Sequence, residues 1–540
     1  MTTYTASSLV DYLEASARRF ADRPAIVDPA GWCITYRELD ERADRIAGFL
    51  VSAGVRPGDR VGVIVPKGIA ALTAFFGIMK ARAAYVPADY TAPAARNRAI
   101  LSDCAVRVAF LTTACATILD SWTDTPPSSV VFLDDGPLPA KTGDSRVCCW
   151  AEAISHPPAR IEGRDRQDLA YILYTSGSTG VPKGVMLSHE NALSFVDWCS
   201  EVLNPTDADR FSSHAPFHFD LSVLDIYVAI KHGATLYIVG EEMGKSPKEL
   251  ADYIAASRLT VWYSTPSILA LLSQFGDLPS RDFSALRLVL FAGEVFPVKH
   301  LRHLVTLWPR PDYYNLYGPT ETNVCTFARI PTPIPEERTT PYPIGDVCGH
   351  CDALVLDGEA GEVTGQAEGL LYIAGPSVFP GYWNRPELNT SAFLEHAGRR
   401  WYNTGDVVTR DPAHGFIYLG RRDRMVKRRG YRIELGEIER GLYQHPAVAE
   451  AAVIAIPDET AGVRLLAYLS ARGTERPSIV EMKVFCGRQL PSYMSPDAFI
   501  FMEALPRTST NKVDYQGLTQ IARHSASGVT PPSSLETANA

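Results

Sequence analysis

Leu169-Ala-Tyr-Ile-Leu-Tyr174 runs into Thr175-Ser-Gly-Ser-Thr-Gly180, and Val181-Pro-Lys183-Gly184 follows at once. Six consecutive apolar and aromatic residues read as a buried strand. The hydroxyls of Thr175, Ser176, Ser178 and Thr179, with Gly177 and Gly180 among them, let side-chain and backbone donors close around phosphate oxygens. Lys183 adds a positive charge at the far end. A polar linker is the competing reading of this loop, and its composition alone leaves both open.

Outward from this stretch, short β-branched runs alternate with helical ones at 61–65, 70–80, 85–87 and 108–112. The alternation resumes at 169–174, 191–203, 235–239, 247–257 and 261–263. That period builds βα units and mostly parallel sheets, so the expected fold is a multidomain α/β protein with one large body. From 342 to 419, short strands punctuated by Gly and Pro predict a distorted β-barrel. Residues 424–515 read as a small α+β domain. The predicted organisation is a large N-terminal core over 1–422, a mobile C-terminal lid over 423–515 and a disordered tail over 516–540.

Composition narrows the function classes. The chain has 540 residues, room for two to four domains at about 150 residues each. Lys plus Arg is 52 against 61 Asp plus Glu, a net charge of −9, and no basic stripe is dense enough for a nucleic acid. Residues 1–20 lack a basic start and an apolar core, so no signal peptide is expected, and no apolar run reaches the ~18 residues of a membrane span. Ten scattered cysteines fit reduced thiols in a cytoplasmic protein.

Three short patterns are decoys. Cys348-Gly-His-Cys351 spells a dithiol site, but a strand-like run follows where that chemistry needs a helix. Residues 240–246 end in Gly-Lys-Ser, with one residue too few between the glycines for a phosphate loop of that type. His214 and His218 lack a third metal ligand, and Pro216 argues against a shared helix face.

The string from Tyr174 to Gly184 resembles the phosphate-binding signature of the adenylate-forming superfamily. Its members include acyl- and aryl-CoA ligases, luciferases and the adenylation domains of nonribosomal peptide synthetases. The resemblance covers residues 5–515, with the family's motifs in order. Thr35-Tyr-Arg-Glu-Leu39 and Met79-Lys-Ala-Arg-Ala-Ala-Tyr-Val-Pro87 match the opening structural motifs. Asn315-Leu-Tyr-Gly-Pro-Thr-Glu-Thr322 resembles the adenine and magnesium motif, which implies that Tyr317 stacks on the base and Glu321 holds Mg²⁺. Asn315, Gly318, Thr320, Gly293 and Glu294 are implied nucleotide neighbours. Gly381-Tyr-Trp-Asn384 and Tyr402-Asn-Thr-Gly-Asp406 follow, with Asp406 implied on the ribose hydroxyls. Gly420-Arg-Arg-Asp423 resembles the interdomain motif, with Arg421 reaching the nucleotide, Asp423 as hinge and Gly430 in the loop of the thioester channel. Leu490-Pro-Ser-Tyr-Met-Ser-Pro496 and Thr510-Asn-Lys512 complete the set.

What the resemblance implies is a ligase. A carboxylate attacks the α-phosphorus of ATP, pyrophosphate departs, and the acyl-AMP then passes its acyl group to a thiol. Lys512 and Lys183 would neutralise charge as it shifts, with Mg²⁺ on Glu321. The lid would turn about Asp423 between the two steps.

The matched substrate motif is Phe219-Asp-Leu-Ser222, where Asp220 suits a substrate ammonium; a helix N-cap is the bland alternative. Leu221, Leu224, Tyr263, Leu290, Ala292, Leu316, Val324 and Cys325 match the remaining lining. Between Asp220 and Lys512 that lining is apolar except for Tyr263 and Cys325, which suits a compact aliphatic amino acid. It resembles the stand-alone ligases that load L-proline onto a peptidyl carrier protein, toward pyrrole-2-carboxyl groups of secondary metabolites. A β-amino acid ligase of polyketide assembly is the alternative within the family. A nucleotide-binding protein without turnover is the alternative from another class. Only 28 residues follow Lys512, so the phosphopantetheine thiol is expected on a separate carrier protein, with free coenzyme A as competing acceptor.

Overall fold

The computed structural model describes residues 6–526 except 121, 123–124, 135, 140–144, 178–180, 358–360, 364, 423, 459–461, 474–475 and 508–512. Contacts divide the chain into two units, Met1–Thr175 with Pro182–Asp423, and Ser176–Val181 with Arg424–Ala540.

In the first unit a nine-stranded sheet has parallel central strands Pro24–Val27, Thr235–Ile238, Arg210–Ser213, Val261–Ser264, Leu288–Ala292 and Asp312–Tyr317. Antiparallel strands close both edges. Parallel neighbours need crossovers, which the helical runs between these strands supply. Register then decides which residues meet. Tyr263 lies beside Leu290, and Ala292 beside Leu316. Residues two apart on a strand share a face. These four therefore form one apolar face, buried in one cluster with Leu221 and Leu224. Trp262, Val289 and Phe291 alternate with them and pack in a second cluster.

The helix Leu221–His232 is buried from Leu221 to Ile230, apolar on almost every face and carrying Ser222 and Asp225 inside with it. It stops at Gly233, whose φ is +69°. A Cβ there would lie 2.1 Å from the Phe20 ring, so both the left-handed turn and the close approach require glycine.

The second sheet has seven strands, and the stretch quoted first forms its edge as a hairpin. Leu169–Thr175 pairs antiparallel with Lys183–Ser188, which sets Thr175 directly beside Lys183. Ser188 then caps the helix His189–Leu203, its hydroxyl and the Asn191 side chain and amide forming a capping box.

The region expected as a distorted barrel pairs as a five-stranded antiparallel sheet. Among the described residues no ladder joins Asp352–Leu356 to Gly415–Arg421, while Phe416 pairs with Gly345, within the region expected as the barrel. Its thirteen-residue strand Arg399–Asp411 organises the region, taking Gly369–Ala374 on one edge and both Phe393–His396 and Gly415–Arg421 on the other.

In the second unit, Val448–Asp458, Gly462–Ala471 and Ala498–Met502 form a sheet. Ala451 and Val453 face the helices Leu435–Tyr443 and Ile479–Gln489, and Ala452 and Ile454 face the other way. Residues 516–526, expected to belong to a disordered tail, instead form most of the helix Tyr515–Ala526. Leu518 and Ala522, one turn apart, bury against Ala452, Ile454 and Leu466. The rest of that expected tail lies outside the described residues. Ser176 falls in this unit, its hydroxyl donating to the Arg432 carbonyl at 2.7 Å and accepting from the Glu434 amide at 3.2 Å. No described helix of the chain is long and apolar enough to cross a membrane.

Candidate active site

The strand Asp312–Tyr317 ends in a tight loop. At Gly318 an added Cβ would sit 1.6 Å from the Asn323 carbonyl oxygen, so only glycine allows the loop to fold back. Asn323 takes a left-handed φ of +53°, and the Cys325 amide donates to the Tyr317 carbonyl at 2.8 Å, closing the loop. Thr320 and Glu321 are thereby carried inside, Glu321 with no exposed surface.

Glu321 meets a cation and a phenol there. The Tyr382 hydroxyl donates to Glu321 Oε1 at 2.7 Å, Lys183 Nζ donates to the Tyr382 oxygen at 3.0 Å, and Lys183 Nζ lies 3.7 Å from Glu321 Oε1. Backbone pairing delivers Tyr382, for Met186 N–H donates to the Gly381 carbonyl and Trp383 N–H to the Gly184 carbonyl. Sequence reasoning gave Tyr382 no role. Its motif, Gly381 to Asn384, was the available signal.

Asp406 is also fully buried. Its Oδ1 accepts from Arg421 Nη1 at 2.7 Å and its Oδ2 from the Tyr317 hydroxyl, while Arg421 Nη1 also donates to the Thr404 carbonyl at 2.9 Å. Burial, then the Asp406 carboxylate, holds the Tyr317 phenol well above its usual range. Tyr317 and Asp406 are therefore one hydrogen-bonded pair. A carboxylate has about four acceptor positions, so two donors leave capacity for a diol.

Asp220 stands at the N-cap position of the helix Leu221–His232 but makes no side-chain capping hydrogen bond. The helix-cap reading thus fails for its side chain. Behind it lies the apolar face of Tyr263, Leu290, Ala292 and Leu316, with Val324 in the same cluster. Burial, then the charge of Asp220, pushes the Tyr263 phenol well up, which keeps it neutral.

Other expected residues have protein contacts of their own. Cys325 packs in a separate cluster with Tyr317 and Ile344. Glu294 accepts from the amide of Ser267 at 3.1 Å and from its hydroxyl, at the start of the helix Pro266–Phe275. The preceding Gly293 has a φ of +92°. Asn315 donates to the Pro343 carbonyl at 2.8 Å. Gly430 and Arg429, both with positive φ, form the two-residue turn between Met425–Arg428 and Tyr431–Glu434 in the second unit. Ser178, Thr179, Gly180, Asp423 and Lys512 lie outside the described residues.

Cys348 and Cys351 are buried, burial pushes the Cys351 thiol up to about 12 and Cys348 further, and the strand Asp352–Leu356 follows them. Lys245 pairs with Glu242 on an exposed turn. No group of three or more metal-ligating side chains occurs among the described residues.

A fold of this kind, with buried carboxylates beside Lys183 and Arg421, defines a class. Residues 13–383 match the AMP-binding enzyme family and residues 437–512 the AMP-binding enzyme C-terminal domain, and the chain belongs to this family. An L-proline–[L-prolyl-carrier protein] ligase of Streptomyces coelicolor is 40% identical over 517 residues, covering 93% of this chain and 94% of that protein. A ligase of the same description from Pseudomonas fluorescens is 39% identical over 499 residues, covering 92% and 96%. Among solved structures, the Vibrio cholerae adenylation domain AlmE in complex with glycyl-adenosine-5'-phosphate shares the fold. Its TM-score is 0.82 at 24% identity, over 97% of this chain and 99% of that one.

Proposed function

We propose that this chain activates L-proline with ATP and loads the prolyl group onto the phosphopantetheine thiol of a carrier protein. A proline carboxylate oxygen bonds to the α-phosphorus, the bond to the bridging oxygen breaks, and pyrophosphate leaves. The carrier thiol, losing its proton, then bonds to the acyl carbon and AMP leaves. The observation that carries the substrate reading is Asp220, uncommitted to helix capping, beside the apolar face of Tyr263, Leu290, Ala292 and Leu316. A secondary ammonium keeps two N–H donors for Asp220, and a five-membered ring has no polar atom to strand against that face. The prolyl ligases among the relatives support the same reading.

On the nucleotide, Asp406 takes the ribose hydroxyls, Tyr317 packs on the base and Arg421 holds Asp406 in place. Lys183 and the Thr175 hydroxyl meet phosphate oxygens, the role the motif also gives Ser178 and Thr179, whereas the Ser176 hydroxyl is already engaged by Arg432 and Glu434; Lys512 neutralises the attacking carboxylate. Glu321 would hold Mg²⁺. A buried carboxylate is a hard oxygen donor, and among the described residues it belongs to no group of three or more metal-ligating side chains, which fits an ion that draws most of its ligands from phosphates and water. When bound, that ion adds positive charge at the phosphates.

Amino-acid-dependent exchange of pyrophosphate into ATP tests this reading across the standard amino acids, aliphatic β-amino acids, and fatty and aryl acids. Exchange with L-proline is expected. Preference for a β-amino acid would replace the substrate, and silence with every acid would remove the catalytic reading. Incubating the charged enzyme with a carrier protein and with coenzyme A distinguishes the acceptors, and exclusive acylation of coenzyme A would overturn the carrier.

A further inference from the structure

Lys67 has no part in the chemistry above, yet two strong hydrogen bonds end on it. It follows the strand Arg60–Ile64 of the seven-stranded sheet, in the turn before the helix Ile69–Lys80. Its ammonium donates to the Ser213 carbonyl at 2.8 Å and to the His214 carbonyl at 2.7 Å. Ser213 is the last residue of Arg210–Ser213 in the nine-stranded sheet. One side chain thus joins the carboxyl ends of strands from two sheets, the edge of an α/β body where ligands bind.

The chain leaving His214 has no regular structure until the helix Leu221–His232. It turns through Pro216, whose carbonyl accepts from the Phe219 amide at 3.0 Å, and arrives at Asp220. The position of Asp220 therefore depends on where this turn begins, and Lys67 holds that beginning. Hydrogen bonds from a charged donor are about twice as strong as neutral ones.

The surroundings keep Lys67 pointed at these carbonyls. Burial lowers its ammonium to about 8, so it stays mostly charged at neutral pH. Asp225, on the same helix as Leu224, is 1% exposed and faces both the Lys67 ammonium and the His214 backbone amide. Burial pushes its carboxyl far above the usual range, which weakens it as a competing anion, while the hydrogen bonds of Lys67 run to the two carbonyls. Glu241 lines the same cleft as Lys67 and accepts from the Tyr90 hydroxyl at 2.6 Å.

We propose that Lys67 is a positioning residue for amino-acid recognition: by holding the Ser213 and His214 carbonyls it fixes the turn that presents Asp220 to the substrate ammonium. The inference rests on the assignment of Asp220 made above. Lys67 acts only through Asp220, so its loss penalises the amino acid and spares ATP.

Pyrophosphate exchange with the full chain tests this. Lys67→Met is expected to raise the KM for L-proline about tenfold while the KM for ATP stays within about twofold. Lys67→Arg, which keeps a charged donor, restores most of the loss. Preference for L-proline over cyclopentanecarboxylate, the same ring without nitrogen, falls in Lys67→Met. In an Asp220→Ala background Lys67→Met adds less than about twofold, because both remove one interaction. Asp225→Asn leaves the KM for L-proline within about twofold. If Lys67→Met does not fold, Lys67→Gln, which keeps one N–H donor, takes its place in the same series. Equal rises in both KM values, or additive penalties with Asp220→Ala, would overturn the positioning role. Wild-type exchange with L-proline and an unchanged KM in Lys67→Met would overturn it while leaving the substrate assignment standing. No amino-acid exchange in the wild type would remove both.

Discussion

Where Asp406 lies between Arg421 and Tyr317, and Glu321 beside Lys183 and Tyr382, charge is buried but matched group by group. Elsewhere in the same unit, Tyr263, Leu290, Ala292 and Leu316 make a wall of apolar side chains headed by one carboxylate, Asp220. The first arrangement is set before any ligand arrives, because each buried ion needs its partner for the fold to stand. The second sets its carboxylate at the head of a helix without using it to cap that helix, beside a wall that offers it no opposite charge. Removing a group from the first region should therefore damage both stability and ATP use. Removing Asp220 should damage only recognition of the amino acid.

The largest effect is expected from Asp406→Asn, which leaves Arg421 buried without its anion. Stability should fall by about 3 kcal/mol in chemical denaturation. The KM for ATP should rise about a hundredfold in pyrophosphate exchange, since the ribose loses its acceptor. An unchanged melting curve would show that the pairing does not hold this region. Next comes Asp220→Ala, with a KM for L-proline about thirtyfold higher and neither the KM for ATP nor stability altered appreciably. A stability loss as large as that of Asp406→Asn would erase the contrast between the regions. Tyr382→Phe removes the hydroxyl between Lys183 and Glu321 and should lower the adenylation rate about tenfold, read in single-turnover formation of acyl-AMP.

The smallest effect concerns Asp225, buried beneath the amino-acid side. Burial holds its carboxyl above the ordinary range, so the folded state binds more protons than the unfolded one between the ordinary pKa and its own. Stability contributed at this position is complete below the ordinary carboxylate pKa and declines as pH rises through that window. Asp225→Asn should raise the melting temperature by about 2 °C at pH 8 and leave it unchanged near pH 4. A larger gain at pH 4 would reverse the sign.

Local chemistry made much of the large unit legible. A run expected at 61–65 is the strand Arg60–Ile64, and helices expected at 70–80 and 191–203 are Ile69–Lys80 and His189–Leu203, because β-branched runs and caps act over a few residues. What stayed hidden depends on residues far apart in the chain. Tyr382 acquires its place by pairing with the strand of Lys183, and Lys67 by reaching two carbonyls near Asp220. Neither contact leaves a periodicity. The helix Tyr515–Ala526 was missed because only Leu518 and Ala522 mark its buried face, too sparse a stripe to outweigh the polar residues around them. The pairing order within 352–421 was not legible because strand composition does not reveal that Arg399–Asp411 serves three partners.

One comparison tests the central claim, that Asp220 and an apolar wall select a compact amino acid. Pyrophosphate exchange by the wild-type chain would be measured with L-proline and with cyclopentanecarboxylate at equal concentration. Strong exchange with L-proline and background exchange with the carbocycle is the predicted result. Equal exchange with both would mean that no ammonium is recognised, and would contradict the role of Asp220.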